Sequence, residues 1–161
     1  METMDVQVQR TFVMPPPPAV PSEEVPLTVF DLAAPTYHVT VLFAFSPPNP
    51  TNQALLSALS ATLPRFPLLT AALRLDDRRP CFVTGAGGAG ALVVEADVPS
   101  SALSDHLPLA PSLGLALLHP RITRGAAPHV LMLQINRFAC GGIVLVSSAH
   151  HQIADGHSNT P

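Results

Sequence analysis

Nineteen prolines in 161 residues limit what this chain can fold into before any motif is read. An interior proline removes a helix hydrogen bond and clashes with the preceding turn, so this density excludes a helical bundle or a coiled coil. The chain can still bury a core, because 47% of it is hydrophobic and only 12% is charged. That balance excludes whole-chain disorder, which needs few apolar residues and much charge. A formal charge of −3 provides no basic surface for a nucleic-acid backbone. All eight basic residues are arginine, which excludes Schiff-base chemistry and a Walker-type phosphate lysine.

Tyr37 is the only tyrosine and there is no tryptophan, a composition poorly suited to stacking bases or sugars. Cys81 and Cys140 cannot build a multi-bridge framework, and neither belongs to a CxxC, so reduced thiols are expected. The opening METMDVQVQRTF is acidic and polar where a signal peptide would be basic and then apolar. No run approaches the roughly twenty apolar residues that span a bilayer. The expectation is a cytoplasmic protein with neither a membrane nor a nucleic acid among its partners.

Periodicity gives a mixed order of elements. Residues 1–14 alternate apolar and polar, as a short strand does. Pro15 to Pro18 open a proline-rich connector over 15–24. TYHVTVLFAFS (36–46) is β-branched and aromatic until SPPNP halts it. A helix is expected from Thr51 or Asn52, with Leu55, Leu56, Leu59 and Leu63 on one stripe and Pro64 and Pro67 ending it. LLTAALRL is compatible with a resumed helical turn before Asp76. PCFVT (80–84) and ALVVEADV (91–98) predict strands around a glycine-rich bend, and 101–107 predicts a short helix. Residues 129–138 and 141–149 predict adjacent strands joined at Ala139–Gly142. Neither strict βαβ alternation nor an all-β pattern results, which favours an α/β or α+β layered fold.

Most candidate sites reduce to packing. Gly85–Gly90 satisfies GxGxxG, but a β-rich run follows where a phosphate-binding helix should start, so a flexible hairpin loop is expected. His38, His106, His119 and His129 stand alone in the sequence, without a ligand partner at metal spacing. Cys140 has no cationic neighbour and is expected to be a small apolar residue at a strand bend. The cluster His150-His151-Gln152-Ile153-Ala154-Asp155-Gly156 differs, with two imidazoles and a carboxylate directly after an apolar strand. A zinc site would lack half its ligands, and HExxH would need Glu at Gln152. No serine elbow supports a Ser-His-Asp triad. A general-base histidine needs only one neutral imidazole held in one tautomer. Residue by residue, that reading and a histidine-rich loop without chemistry stand equal.

The HHxxxDG order, followed by Ser158, resembles the signature of the CoA-dependent acyltransferase superfamily. Phe138-Ala139-Cys140-Gly141-Gly142 before it resembles the FxCGG element of the plant BAHD acyltransferases. VPLTVFD (25–31), a strand ending in AFSPP and the helix after Thr51 fit that family's order, so the resemblance covers nearly the whole chain. VPLTVFD and AFSPP together resemble the cereal amine hydroxycinnamoyltransferases. The resemblance implies part of the N-terminal domain of a two-domain, chloramphenicol acetyltransferase-like fold. It implies His151 as general base for hydroxycinnamoyl transfer from a CoA thioester to an amine (or alcohol). Asp155 would face away from substrate and brace the motif, and Gly156 would free the turn. Acyl-CoA would be a co-substrate, with no bound cofactor and no metal. The family's DFGWG element does not occur, so 1–161 is expected to be an incomplete N-terminal domain lacking its C-terminal partner. An inactive remnant or interaction fragment of the same family is the alternative reading. A peptide-synthetase condensation domain, which shares HHxxxDG, would expect a carrier domain nearby.

Overall fold

Three runs dominated by β-branched and aliphatic residues form the centre of the molecule: β6 (Ala91–Val98), β7 (Leu131–Phe138) and β8 (Ile143–His150). The computed structural model describes residues 4–75, 79–121 and 129–154. Before these runs lie β1 (Gln7–Met14), β2 (Glu24–Pro26), β3 (His38–Phe45), β4 (Ala72–Arg74) and β5 (Cys81–Val83). The main sheet has the order β1-β6-β7-β8-β3, and a small second sheet has the order β2-β5-β4. In the main sheet β6 and β7 are parallel, and the other neighbours are antiparallel. A parallel pair needs a long crossover. Here it is the segment from 99 to 130, which includes short 3₁₀ turns at Leu103–His106 and Leu115–Leu118.

The helix α2 (Asn52–Thr62) starts where the sequence predicts, with the Thr51 hydroxyl accepting the Ala54 N–H. Pro64 and Pro67 convert the continuation into two 3₁₀ turns. The leucine stripe faces the sheet: Leu63 is buried, and Leu59 packs with it against Leu131, Leu133 and Ala149. On the opposite face Val98, Leu103, Leu118, Phe138, Val144 and Val146 form a second cluster. LLTAALRL divides into the turn Pro67–Thr70 and strand β4 rather than a resumed helix alone.

The VPLTVFDLA stretch also divides. Val25 and Pro26 enter β2, and Val29–Ala33 forms the five-residue helix α1 behind a capping box. There the Thr28 hydroxyl accepts the Asp31 N–H at 3.2 Å, and the Asp31 carboxylate accepts the Thr28 N–H at 2.6 Å.

The glycine-rich loop is not a hairpin. β5 and β6 lie in different sheets, and residues 84–90 carry the chain between them. Gly85 has φ +61, and a Cβ there would sit 2.6 Å from the Pro21 backbone. Close backbone approach, rather than looseness at a hairpin tip, is therefore what these glycines permit. The β7–β8 connection is a true hairpin, closed by the Gly141 N–H on the Phe138 carbonyl at 2.9 Å, with Gly141 at φ +81.

Candidate active site

The register of β3 on β8 sets the site. Thr40 pairs with Ser148 and His38 with His150, two residues further along, so all four side chains project from one face. The hydroxyls of Thr40 and Ser148 lie 2.8 Å apart, and Nε2 of His119 stands 3.1 Å from each. His119 is delivered by the crossover, which two buried amides hold down. Gln134 Nε2 donates to the Leu117 carbonyl at 3.2 Å and Asn136 Nδ2 to the Leu118 carbonyl at 3.0 Å.

His38 and His150 meet edge to face, with ring centroids 5.3 Å apart. A carbonyl can only accept, so the 2.7 Å contact from His38 Nε2 to the His129 carbonyl fixes a proton on that nitrogen. By the same logic His129 Nδ1 donates to the Gly90 carbonyl at 3.1 Å. His38, His119 and His129 are distant in sequence and were expected to stand alone; the sheet gathers them beside the motif. His106 does lie elsewhere, with its Nε2 2.8 Å from the Ser101 hydroxyl.

β8 ends at His150, and a turn carries the next residues. The His150 carbonyl accepts the N–H of Ile153 at 2.9 Å and of Ala154 at 3.1 Å, closing that turn. His151 is half-buried on it, with its N–H donated to the Tyr37 carbonyl at 2.9 Å. Its ring stands edge-on to the Tyr37 ring, with centroids 5.5 Å apart. Nδ1 of His151 is sealed from solvent and has no partner among the described residues. Gln152 Nε2 donates to the Asp31 carbonyl at 3.0 Å, tying the turn to α1. Asp155, Gly156 and Ser158 lie outside the described residues.

Electrostatically the face favours neutral rings at His150 and His119. Burial pushes His150 below the ordinary histidine value, and the neighbouring His38 and His151 add to the effect. Burial also lowers His119, opposed by its backbone hydrogen bond with Pro120 and assisted by His38. Beside the turn opens an apolar cleft of about 650 Å³, lined among others by Leu59, Phe66, Leu131, Ser147, Ile153 and Ala154.

One expectation about a reactive group needs correction. Cys140 is exposed rather than packed as a small apolar residue. Its Sγ lies 3.4 Å from both the Leu103 and Gly142 N–H groups, which lower its pKa. What the sequence did not reveal is the pairing of His38 with His150 and of Gln152 with Asp31. One signal was available: both strand ends, YHVT and SSAH, carry histidine two residues from a hydroxyl.

The model of the Transferase family matches residues 4–160. Agmatine hydroxycinnamoyltransferase 1 of Oryza sativa subsp. japonica is 35% identical over 146 residues, covering 88% of this chain and 32% of that protein. Tryptamine benzoyltransferase 1 of the same organism is 33% identical over 161 residues, covering 98% of this chain and 35% of its own length. The chain thus spans about a third of the length of these curated relatives. Among solved structures, vinorine synthase superposes with TM-score 0.70 at 20% identity, over 94% of this chain and 39% of that one. F. graminearum TRI101, complexed with ethyl coenzyme A, superposes with TM-score 0.56 at 17% identity, over 84% and 36%. At such identities these two structures speak to the fold, which is mixed α+β in all of them.

Proposed function

The chain belongs to the Transferase family, the BAHD acyltransferases, and on that premise we propose that it carries the histidine side of a site moving an acyl group from a CoA thioester to an amine. The observation that carries this reading is the setting of His151. It follows the last residue of β8, its backbone is fastened to Tyr37, and its Nδ1 is sealed without a partner among the described residues. Nε2 is then the nitrogen left to exchange a proton with a substrate. Relatives named for agmatine and tryptamine, and for hydroxycinnamoyl and benzoyl transfer, support the amine and acyl classes. A fold neighbour complexed with ethyl coenzyme A, a thioether, supports CoA as the carrier.

The chemistry needs little else. A thioester is already activated, so neither a covalent enzyme intermediate nor a metal is required. The amine nitrogen attacks the thioester carbonyl, the C–N bond forms, and His151 takes the amine proton. Collapse of the tetrahedral adduct breaks the C–S bond, and CoA leaves as a thiolate that takes up the proton. The apolar cleft beside Ile153 and Ala154, with Phe66 on its wall, has the character to receive an aromatic acyl group. The family resemblance assigns bracing to Asp155 and freedom of the turn to Gly156, both outside the described residues.

The test is release of CoA thiol from hydroxycinnamoyl-CoA or benzoyl-CoA with agmatine or tryptamine as acceptor. His151→Ala is expected to lower turnover by about 10²–10⁴, the usual value of general-base assistance. Transfer that survives this substitution, in a protein that folds as the wild type does, would overturn the assignment.

A further inference from the structure

His150 has no part in the proton transfer just described, yet it is hydrogen-bonded to three residues of the His151 turn, Gln152, Ile153 and Ala154. Its carbonyl closes the turn on Ile153 and Ala154, and its own N–H is held by the Val130 carbonyl at 2.8 Å. Its side chain makes a third contact: Nδ1 accepts the Gln152 N–H in a long contact of 3.4 Å. The residue is buried. We propose that His150 is a positioning residue for His151, capping through Nδ1 the turn that presents it, and that the cap exists only while the His150 ring is neutral.

The argument is one of donor and acceptor count. A neutral imidazole has one N–H and one bare nitrogen, and an imidazolium has two N–H groups and no acceptor. Because Nδ1 accepts from Gln152, the proton of neutral His150 resides on Nε2. Protonation at Nδ1 would set two N–H groups against each other and leave the Gln152 amide without a partner, a costly state for a buried group. Among the described residues no ion pair to the His150 ring would stabilise the cation. His38 faces the ring from β3, with its own Nε2–H committed to the His129 carbonyl. His151 and Tyr37 lie on the turn side, and His119 stands beyond His38 against Thr40 and Ser148. On α1, which Gln152 ties to the turn, the Asp31 carboxylate accepts the Thr28 N–H. The lowered proton affinity of His150 agrees with this setting.

The inference rests on the acyl-transfer reading for its purpose, but its test does not need turnover. Imidazole and amide resonances of the 161-residue chain would be followed by NMR between about pH 8 and 5. The expected result is that the Gln152 amide proton moves with the same midpoint as His150, below the ordinary value of 6.5. In His150→Asn the Oδ1 atom replaces Nδ1 as acceptor and cannot titrate, so the Gln152 amide keeps its position and loses that pH response. In His150→Ala the amide is displaced at every pH, and the His151 ring resonances move. A Gln152 amide indifferent to His150 titration in the wild type overturns the proposal, even if neither variant folds. So does a His150→Asn protein that matches His150→Ala. Absence of acyl transfer would leave these resonances readable and would count against the catalytic reading alone.

Discussion

His38 and His150 occupy directly opposed positions on β3 and β8, and their rings meet at 81° with centroids 5.3 Å apart. Burial disfavours charge on His150, and the nearby His38 and His151 rings add to that. The pair also joins two parts of the face. His38 donates to the segment before β7 through the His129 carbonyl, while His150 holds the turn bearing His151. Strand pairing thus brings together residues 112 positions apart in sequence.

Stability is expected to fall on mild acidification. His150 and His119 both have proton affinities lowered in the folded chain. Below the ordinary value of 6.5 the unfolded chain therefore binds more protons than the folded one. Stability rises with pH wherever that holds. The contribution is fully present above that value and is lost as pH falls toward the depressed folded values. Urea midpoints measured on both sides of 6.5 should show the decline, and His119→Asn should flatten part of it. A midpoint constant across the interval would contradict the assignment.

Replacing Asn136 by leucine should destabilise the protein even though the position is fully buried in an apolar sheet. Asn136 donates to the Leu118 carbonyl and to the Val144 carbonyl at 3.2 Å, and it accepts from Gln134 Nε2 at 2.8 Å. Leucine would strand the Leu118 carbonyl and one N–H of the Gln134 amide, whose other N–H keeps the Leu117 carbonyl. Each stranded group costs about 1–3 kcal/mol. Because the crossover is what delivers His119, its ring resonances should shift as well. Chemical denaturation with histidine NMR checks both effects.

Much of this was legible in the sequence because local signals and tertiary packing agreed. The β-rich run ALVVEADV, the leucine stripe after Thr51 and the break at Ala139–Gly142 each gave the element that formed. The glycine loop was misread because a bend between two strands looks the same whether they pair or part. Here β5 pairs with β2 and β4 while β6 joins β1 and β7, a non-local choice. The site was half legible for the same reason. HHxxxDG is contiguous, whereas the partners of His150 and Gln152 come from residues 38 and 31, and only the β3–β8 register and the packing of α1 bring them in. Cys140 was misjudged because its neighbours in sequence are apolar, while the N–H groups that stabilise its thiolate are backbone donors that no residue type announces.

Cys140 should alkylate well before Cys81. It is exposed, and the Leu103 and Gly142 N–H groups favour its thiolate. Cys81 is buried in β5. Thiolate fraction and access together govern the rate. Limiting iodoacetamide followed by peptide mass analysis should find the label on Cys140 while Cys81 remains free. Equal labelling in folded protein would contradict the burial of β5.

Gln152→Ala should release α1 from the His151 turn without unfolding the sheet. Five residues are too few for a helix to persist alone, since nucleation is unfavourable and only a turn or so of bonds follows. α1 also gains little from burial: Val29 is 80% exposed and Phe30 is 85% exposed. Its supports are therefore the Thr28–Asp31 capping box and the bond from Gln152 Nε2 to the Asp31 carbonyl. Removing the second should cost about 0.5–1.5 kcal/mol, the usual net value of one hydrogen bond. The loss should concentrate locally. Hydrogen exchange at the Leu32 and Ala34 amides, which bond back to Thr28 and Phe30, should accelerate, while β7 and β8 amides exchange as before. Thr28→Ala should accelerate the same two amides by removing the other support, and the double variant should melt α1 outright. If Gln152→Ala instead speeds exchange throughout β8, the side chain anchors the sheet rather than the helix.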